Sequence, residues 1–118
     1  MAIRRPRKPE PLRYELVKGE PQLQPDVAAW KAWQTAAGDT LILQESDYRG
    51  MHVSTTFTGV DDVPRLKPGP PKLYKTTVSG GRGNGLVLAS ASAAEARQAH
   101  GRMLAVLRKY YSDDSPTK

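Results

Sequence analysis

The sequence predicts an α+β fold: an N-terminal helix, an antiparallel meander of three to four strands, and a C-terminal helix packed on one sheet face. Three patterns carry this prediction. Apolar residues recur at helical spacing near residue 30, they alternate strictly around residue 55, and a capped apolar stripe follows residue 92. A sheet with one apolar face can be covered by two helices, and we expect both on the same side.

The first helix is predicted over residues 26–37. Asp26 is suited to the first turn, where a carboxylate meets free backbone N–H groups, and Gly38 is suited to end the helix in a left-handed turn. The apolar face of this helix consists of Val27, Trp30, Trp33 and Ala37. The two tryptophans could form a docking surface, but we favour the core for at least one of them, because aromatic rings bury large areas.

Four strands are predicted over residues 41–44, 52–58, 72–79 and 86–89. Residues 47–50 form a predicted turn, and residues 61–71 form a loop because they contain four prolines. In the second strand, Val53, Thr55 and Phe57 should face one side, and His52, Ser54 and Thr56 the other. We interpret its serine and threonines as strand formers rather than as an active cluster.

The glycine-rich residues 80–85 have two interpretations. A phosphate-binding loop would require a helix directly after it, and here a strand is predicted. A tight hairpin turn is favoured, because Asn84-Gly85 can supply the positive φ angles that such turns need.

The C-terminal helix begins at a capping box, Ser92-Ala93-Ala94-Glu95, and should fray near Tyr111. Its predicted apolar stripe consists of Ala96, Ala99, Met103, Val106, Leu107 and Tyr110. His100 is predicted on the edge of this stripe, packed or half-exposed. Residues 112–118 form a polar tail, so we predict one domain over residues 26–111.

Residues 1–25 are predicted to form an extended, basic, proline-rich arm, with residues 12–17 as an exception that could form a short strand or dock onto the domain. The candidate binding residues for an anionic partner are Arg4, Arg5, Arg7, Lys8 and Arg13. The arm could neutralise nucleic-acid phosphates, enter an acidic groove of a protein, or be a solvated tail that aids solubility. The sequence alone leaves these three interpretations open.

The amino-acid composition limits the kinds of catalytic and metal site that the chain can form. The chain has no cysteine, which excludes disulfides, thiolate zinc sites and a cysteine nucleophile. Two distant histidines make a weak case for a metal, and no spacing indicates a nucleophile with an oriented base. We therefore predict no catalytic residues, no metal and no cofactor. The net charge of +6 favours anionic partners, and no apolar run is long enough to cross a membrane.

The segment from Val53 to Asp61, V-S-T-T-F-T-G-V-D, resembles a pattern found in small uncharacterised proteins of bacteriophages and prophages. The resemblance extends from residue 26 to residue 107, through Trp30-x-x-Trp33, Pro70-Pro71-x-Leu73-Tyr74 and the glycine pair at residues 80 and 81. It departs at His100-Gly101, because the phage pattern has a glycine followed by a histidine at this place. The resemblance implies phage origin and an α+β fold, and it implies no known activity.

The order of helix, meander and helix is also similar to the double-stranded-RNA-binding domain. That module usually opens its second helix with lysines, whereas here the same place carries Glu95.

We therefore expect a non-catalytic accessory protein of phage type that binds a host or phage macromolecule, with the basic arm contributing to affinity. A protein partner is the leading expectation, and a nucleic acid is possible. The alternatives are a minor structural component of the virion and a nucleic-acid-binding protein. The expected location is the cytoplasm of the bacterial host, or the virion; the oligomeric state is left open.

Overall fold

The computed structural model describes residues 11–62 and 69–111 of the 118-residue chain. They form an α+β fold with two helices and two antiparallel sheets. The strands are β1 (Leu12–Val17), β2 (Glu20–Leu23), β3 (Ile42–Tyr48), β4 (Met51–Phe57), β5 (Val60–Asp61), β6 (Tyr74–Ser79) and β7 (Val87–Ser90). The helices are α1 (Val27–Ala37), which runs into a 3-10 turn at Gly38–Leu41, and α2 (Ala93–Tyr110).

The larger sheet is a four-stranded antiparallel meander in the order β3-β4-β6-β7. The burial of side chains along β4 alternates as the sequence predicts: Val53, Thr55 and Phe57 are buried, and the residues between them are partly exposed. The first predicted strand proved too short, since β3 continues to Tyr48. The turn is therefore tighter than predicted and consists of Arg49 and Gly50, both of which have positive φ angles.

Helix α2 covers one face of this sheet. The Ser92 side chain accepts a hydrogen bond from the Glu95 backbone N–H at 3.1 Å, while the Glu95 carboxylate accepts from Ala91 N–H at 3.3 Å. The buried stripe consists of Ala96, Ala99, His100, Met103 and Leu107. The predicted stripe was wrong at its flanks, because Val106 is 36% and Tyr110 63% exposed.

The N-terminal part is a separate layer built around a hairpin. Strands β1 and β2 pair around a turn at Lys18-Gly19, and β1 also pairs with β5 to complete a three-stranded sheet. Helix α1 packs against β1, and its Trp33 and Ala37 also pack against the core cluster that contains Phe57 and Ala96. The expectation that both helices cover one side of the same sheet is therefore matched in part, because α1 also covers the smaller sheet. Part of the segment assigned to an arm therefore belongs to the fold, and the strand over residues 12–17 that we regarded as its exception is β1.

Helix α1 otherwise matches the predicted boundaries and face. The Asp26 carboxylate caps it by accepting from Ala28 and Ala29 N–H, and Gly38 follows its last residue with a φ of 50°. Trp30 is buried, which agrees with the core interpretation. Trp33 reaches the main sheet, where its ring meets Phe57 edge-on at a centroid distance of 6.0 Å.

Gly59 connects the two layers. Its carbonyl accepts a hydrogen bond from Tyr14 N–H at 2.7 Å, and the Tyr14 carbonyl accepts one from the Trp30 indole at 2.8 Å. The φ of Gly59 is 71°, and a Cβ there would lie 2.5 Å from the Tyr14 carbonyl oxygen. Only glycine therefore allows the chain leaving β4 to pass this close to β1.

The connection between β6 and β7 is a hairpin loop, as predicted, but it is wider than a two-residue Asn-Gly turn. Asn84 does not adopt a positive φ; this role falls to Gly80, Gly81 and Gly85. The Asn84 side chain instead accepts a hydrogen bond from Gly80 N–H at 2.8 Å and closes the loop across its base. The loop over residues 61–71 lies partly outside the described residues.

We expect α2 to contribute a large share of the free energy of unfolding. Met103 and Leu107 are 3% and 0% exposed, so Met103→Ala or Leu107→Ala should lower that free energy by about 2–5 kcal/mol. Val106→Ala, on the exposed flank of the same helix, is the control and should change it by less than about 0.5 kcal/mol. Urea denaturation measures all three, and equal small effects would contradict the packing of α2.

A second prediction concerns the joint at Gly59. Gly59→Ala and Gly19→Ala both place an alanine at positive φ, which costs about 1–2 kcal/mol. At Gly19 a Cβ would meet nothing within 4 Å, whereas at Gly59 it would meet a backbone oxygen. The Gly59 variant should therefore be the less stable of the two by about 1–3 kcal/mol. Equal melting temperatures would show that the two layers are not in close contact at Gly59.

Candidate functional site

The sequence-predicted binding residues fall into two groups. Arg4, Arg5, Arg7 and Lys8 lie outside the described residues. Arg13 lies on β1, where its guanidinium is 5.7 Å from the centre of the Trp30 ring. Arg13 is therefore part of the folded hairpin layer.

Charge is strongly segregated along the described chain. Residues 11–62 contain four Lys and Arg against eight Asp and Glu, whereas residues 69–111 contain seven Lys and Arg against a single acid, Glu95. The formal charges are −4 and +6. In space the segregation is partial: helix α2 carries four of the seven basic residues, whereas Lys75 on β6 is 3.1 Å from the Asp62 carboxylate of the first segment.

The exposed face of α2 is the main cationic surface of the described residues. Four basic side chains on it are exposed: Arg97, Arg102, Arg108 and Lys109. Arg102 and Arg108 form no ion pair with any acid within residues 11–62 and 69–111. Glu95, the one acid of the helix, lies at its first turn and is engaged with the Ala91 N–H.

The opposite face of the sheet carries two acids of β3, Glu45 and Asp47, together with His52 and Lys75. The Asp47 carboxylate is 2.8 Å from Nδ1 of His52, and the Glu45 carboxylate is 3.6 Å from its Nε2. The hydrogen bond to Asp47 is the largest of the effects that raise the pKa of His52 above its usual value. No group of three or more His, Asp or Glu in the described segments has an arrangement that could hold a metal ion.

A buried polar network fixes α2 on the sheet. Both ring nitrogens of His100 are bonded at 2.8 Å, Nε2 with the Ser46 hydroxyl and Nδ1 with the Thr55 hydroxyl. Thr55 is bonded in turn with the Thr76 hydroxyl at 2.7 Å. The placement of His100 on the edge of the stripe was therefore wrong, since its side chain is fully buried at the centre. The sequence contained a signal for this burial, because His100 lies one turn after Ala96 and one turn before Met103, both of which belong to the apolar stripe.

A serine beside a histidine could suggest a nucleophile and its base. Here the arrangement does not offer that chemistry, because a nucleophile and its base must be able to reach a substrate. Both nitrogens of His100 are occupied and none of its surface reaches solvent. Its role is to bond the hydroxyl groups of Ser46 and Thr55 under the helix, and no buried side-chain nitrogen or oxygen of the described residues lacks a partner.

The network predicts a pH dependence. Burial lowers the pKa of His100 below 6.5, so the unfolded chain binds this proton more tightly than the folded one. The neutral form of His100 makes its full contribution to the free energy of unfolding above pH 6.5. That contribution is lost as the pH falls from 6.5 towards the pKa of the folded state. His52 has the opposite sign, because its raised pKa stabilises the fold at low pH.

The measurement therefore uses the His52→Gln variant, which removes the opposing effect. Its free energy of unfolding should decrease between about pH 7.5 and about pH 5.5, a window above the usual range of carboxylate titration. A free energy that is constant or rises as the pH falls across this window would contradict a buried neutral His100.

The chain matches no protein-family model, no curated protein and no solved structure. The resemblance to phage proteins therefore stays a prediction. No helix in the described residues is both long and apolar enough to cross a membrane.

Proposed function

We propose that this protein is a non-catalytic accessory protein that binds nucleic acid through the exposed face of α2. The observation that carries the proposal is the charge segregation: residues 69–111, which include α2, β6 and β7, hold seven basic side chains and one acid. Nucleic acids present a dense row of phosphates, and lysine and arginine side chains that neutralise them release bound counterions.

An acidic protein is the other class of partner that the sequence leaves open. Nucleic acid is favoured because the exposed cations extend along one rigid helix, from Arg97 to Lys109, with no acid among them. Protein interfaces are typically depleted of charge at their centre, with polar residues at the rim. The arm residues Arg4, Arg5, Arg7 and Lys8 would add phosphate contacts to those of the helix.

The proposal predicts a salt-dependent affinity. The binding of a fluorescent duplex of about 20 base pairs should weaken linearly on a log-log plot against salt concentration. The double variant Arg102→Gln/Arg108→Gln should bind more weakly and reduce that slope by about 2, because each lost phosphate contact removes about 0.9. Fluorescence anisotropy at several salt concentrations measures both quantities.

The control removes the same charge from the other segment. Lys18 and Lys31 are exposed and lie in the hairpin and α1, so Lys18→Gln/Lys31→Gln should leave the slope unchanged. Absence of binding to DNA and RNA at low salt would overturn the proposal. An equal loss of slope in both double variants would assign the effect to net charge alone and would overturn the role of α2.

A further inference from the structure

The cations of α2 form two rows rather than one cluster. Successive residues of an α-helix are rotated by about 100°, so Arg97 and Arg108 lie about 20° apart around the axis, as do Arg102 and Lys109. The two rows are separated by roughly 100–140°. At 18 residues the helix is about 27 Å long, which is more than two widths of a DNA groove.

The strip between the two rows is exposed and contains Ala94, Gln98, Gly101 and Ala105. Three of these residues have small side chains or none, so the helix backbone is open to a partner along this strip. Gln98 is the exception, and it is the one residue of the strip whose side chain can donate and accept hydrogen bonds.

A cationic row on each side of a helix matches the two phosphate walls of a groove. The major groove of B-form DNA is about 12 Å wide and admits an α-helix. Each row would then meet one backbone, and the strip would face the edges of the bases. In duplex RNA the major groove is deep and narrow, so side chains cannot read it.

Gln98 has the right chemistry for the floor of such a groove. Glutamine makes a bidentate contact with N6 and N7 of adenine, and alanine methyl groups pack against the methyl group of thymine. Phosphate contacts fix position, whereas contacts of this kind distinguish one base pair from another.

Resting on the proposed nucleic-acid function, we infer that α2 binds in the major groove of duplex DNA, with Arg97, Arg102, Arg108 and Lys109 on the phosphates and Gln98 as the residue that reads an A·T pair. The surface that α2 presents is already formed, because the opposite side of the helix is held on the sheet by Met103, Leu107 and the His100 network.

The test compares nucleic acids and then sequences. The full chain should bind duplex DNA more tightly than duplex RNA of the same sequence, and a random duplex pool should yield preferred sites that contain an A·T pair. Gln98→Ala should lose the preference at that position by roughly 5- to 150-fold, which corresponds to one bidentate base contact. Gln22→Ala, an exposed glutamine on β2, is the matched control and should keep it.

A second variant tests entry into the groove without removing a charge. Ala105→Phe fills the strip at an exposed position, so it should lower the affinity for duplex DNA at least tenfold and leave the melting temperature close to that of the parent chain. The control is Ala36→Phe, at an exposed position on α1, which changes size alone and should leave the affinity unchanged. Lys31→Phe is unsuitable as a control because it changes charge as well.

Each failure has a distinct signature. Equal binding of duplex RNA, or identical selected sites for the parent chain and Gln98→Ala, would overturn the major-groove inference while salt-dependent binding through α2 remained. An unaffected affinity in Ala105→Phe would overturn it as well. Loss of all nucleic-acid binding by the parent chain would overturn the proposed function itself.

Discussion

The packing of α2 against one face of the four-stranded sheet is the constraint on which the rest of the structure depends. Leu107 and Ala96 are completely buried there, together with Val53 from the sheet. His100 is buried among them, and its two nitrogens must find partners because an unsatisfied polar group in the core is costly. Ser46 on β3 and Thr55 on β4 supply those partners, so one side chain fixes the helix against two strands at once.

The same packing decides which surface the molecule presents. An amphipathic helix that buries one stripe must expose the other, and on α2 the exposed side holds four cations. The acids of β3 meet His52 on the far side of the sheet, so they cannot neutralise the helix. One packing arrangement therefore places a basic helix on one side of the sheet and an imidazole-carboxylate cluster on the other.

The N-terminal layer depends on the main sheet through a small number of close contacts. Tyr14 joins Gly59 and Trp30 through its backbone groups, and the ring of Trp33 packs against Phe57. Arg13 stacks over Trp30 in this layer. These contacts hold the hairpin beside the end of β4.

The sequence by itself determined the fold class, the meander of four strands, the capped ends of both helices and the buried face of β4. These features follow from local periodicity and capping, which neighbouring residues specify. Tertiary structure alone decided that α1 packs against β1, that Gly59 is the joint, and that His100 is central rather than marginal. Ser46 and Thr55 are 54 and 45 residues from His100, and no local pattern relates residues so far apart. The same distinction applies to the candidate surface. The sequence revealed an excess of cations, and the packing of α2 determined that four of them lie on one exposed face.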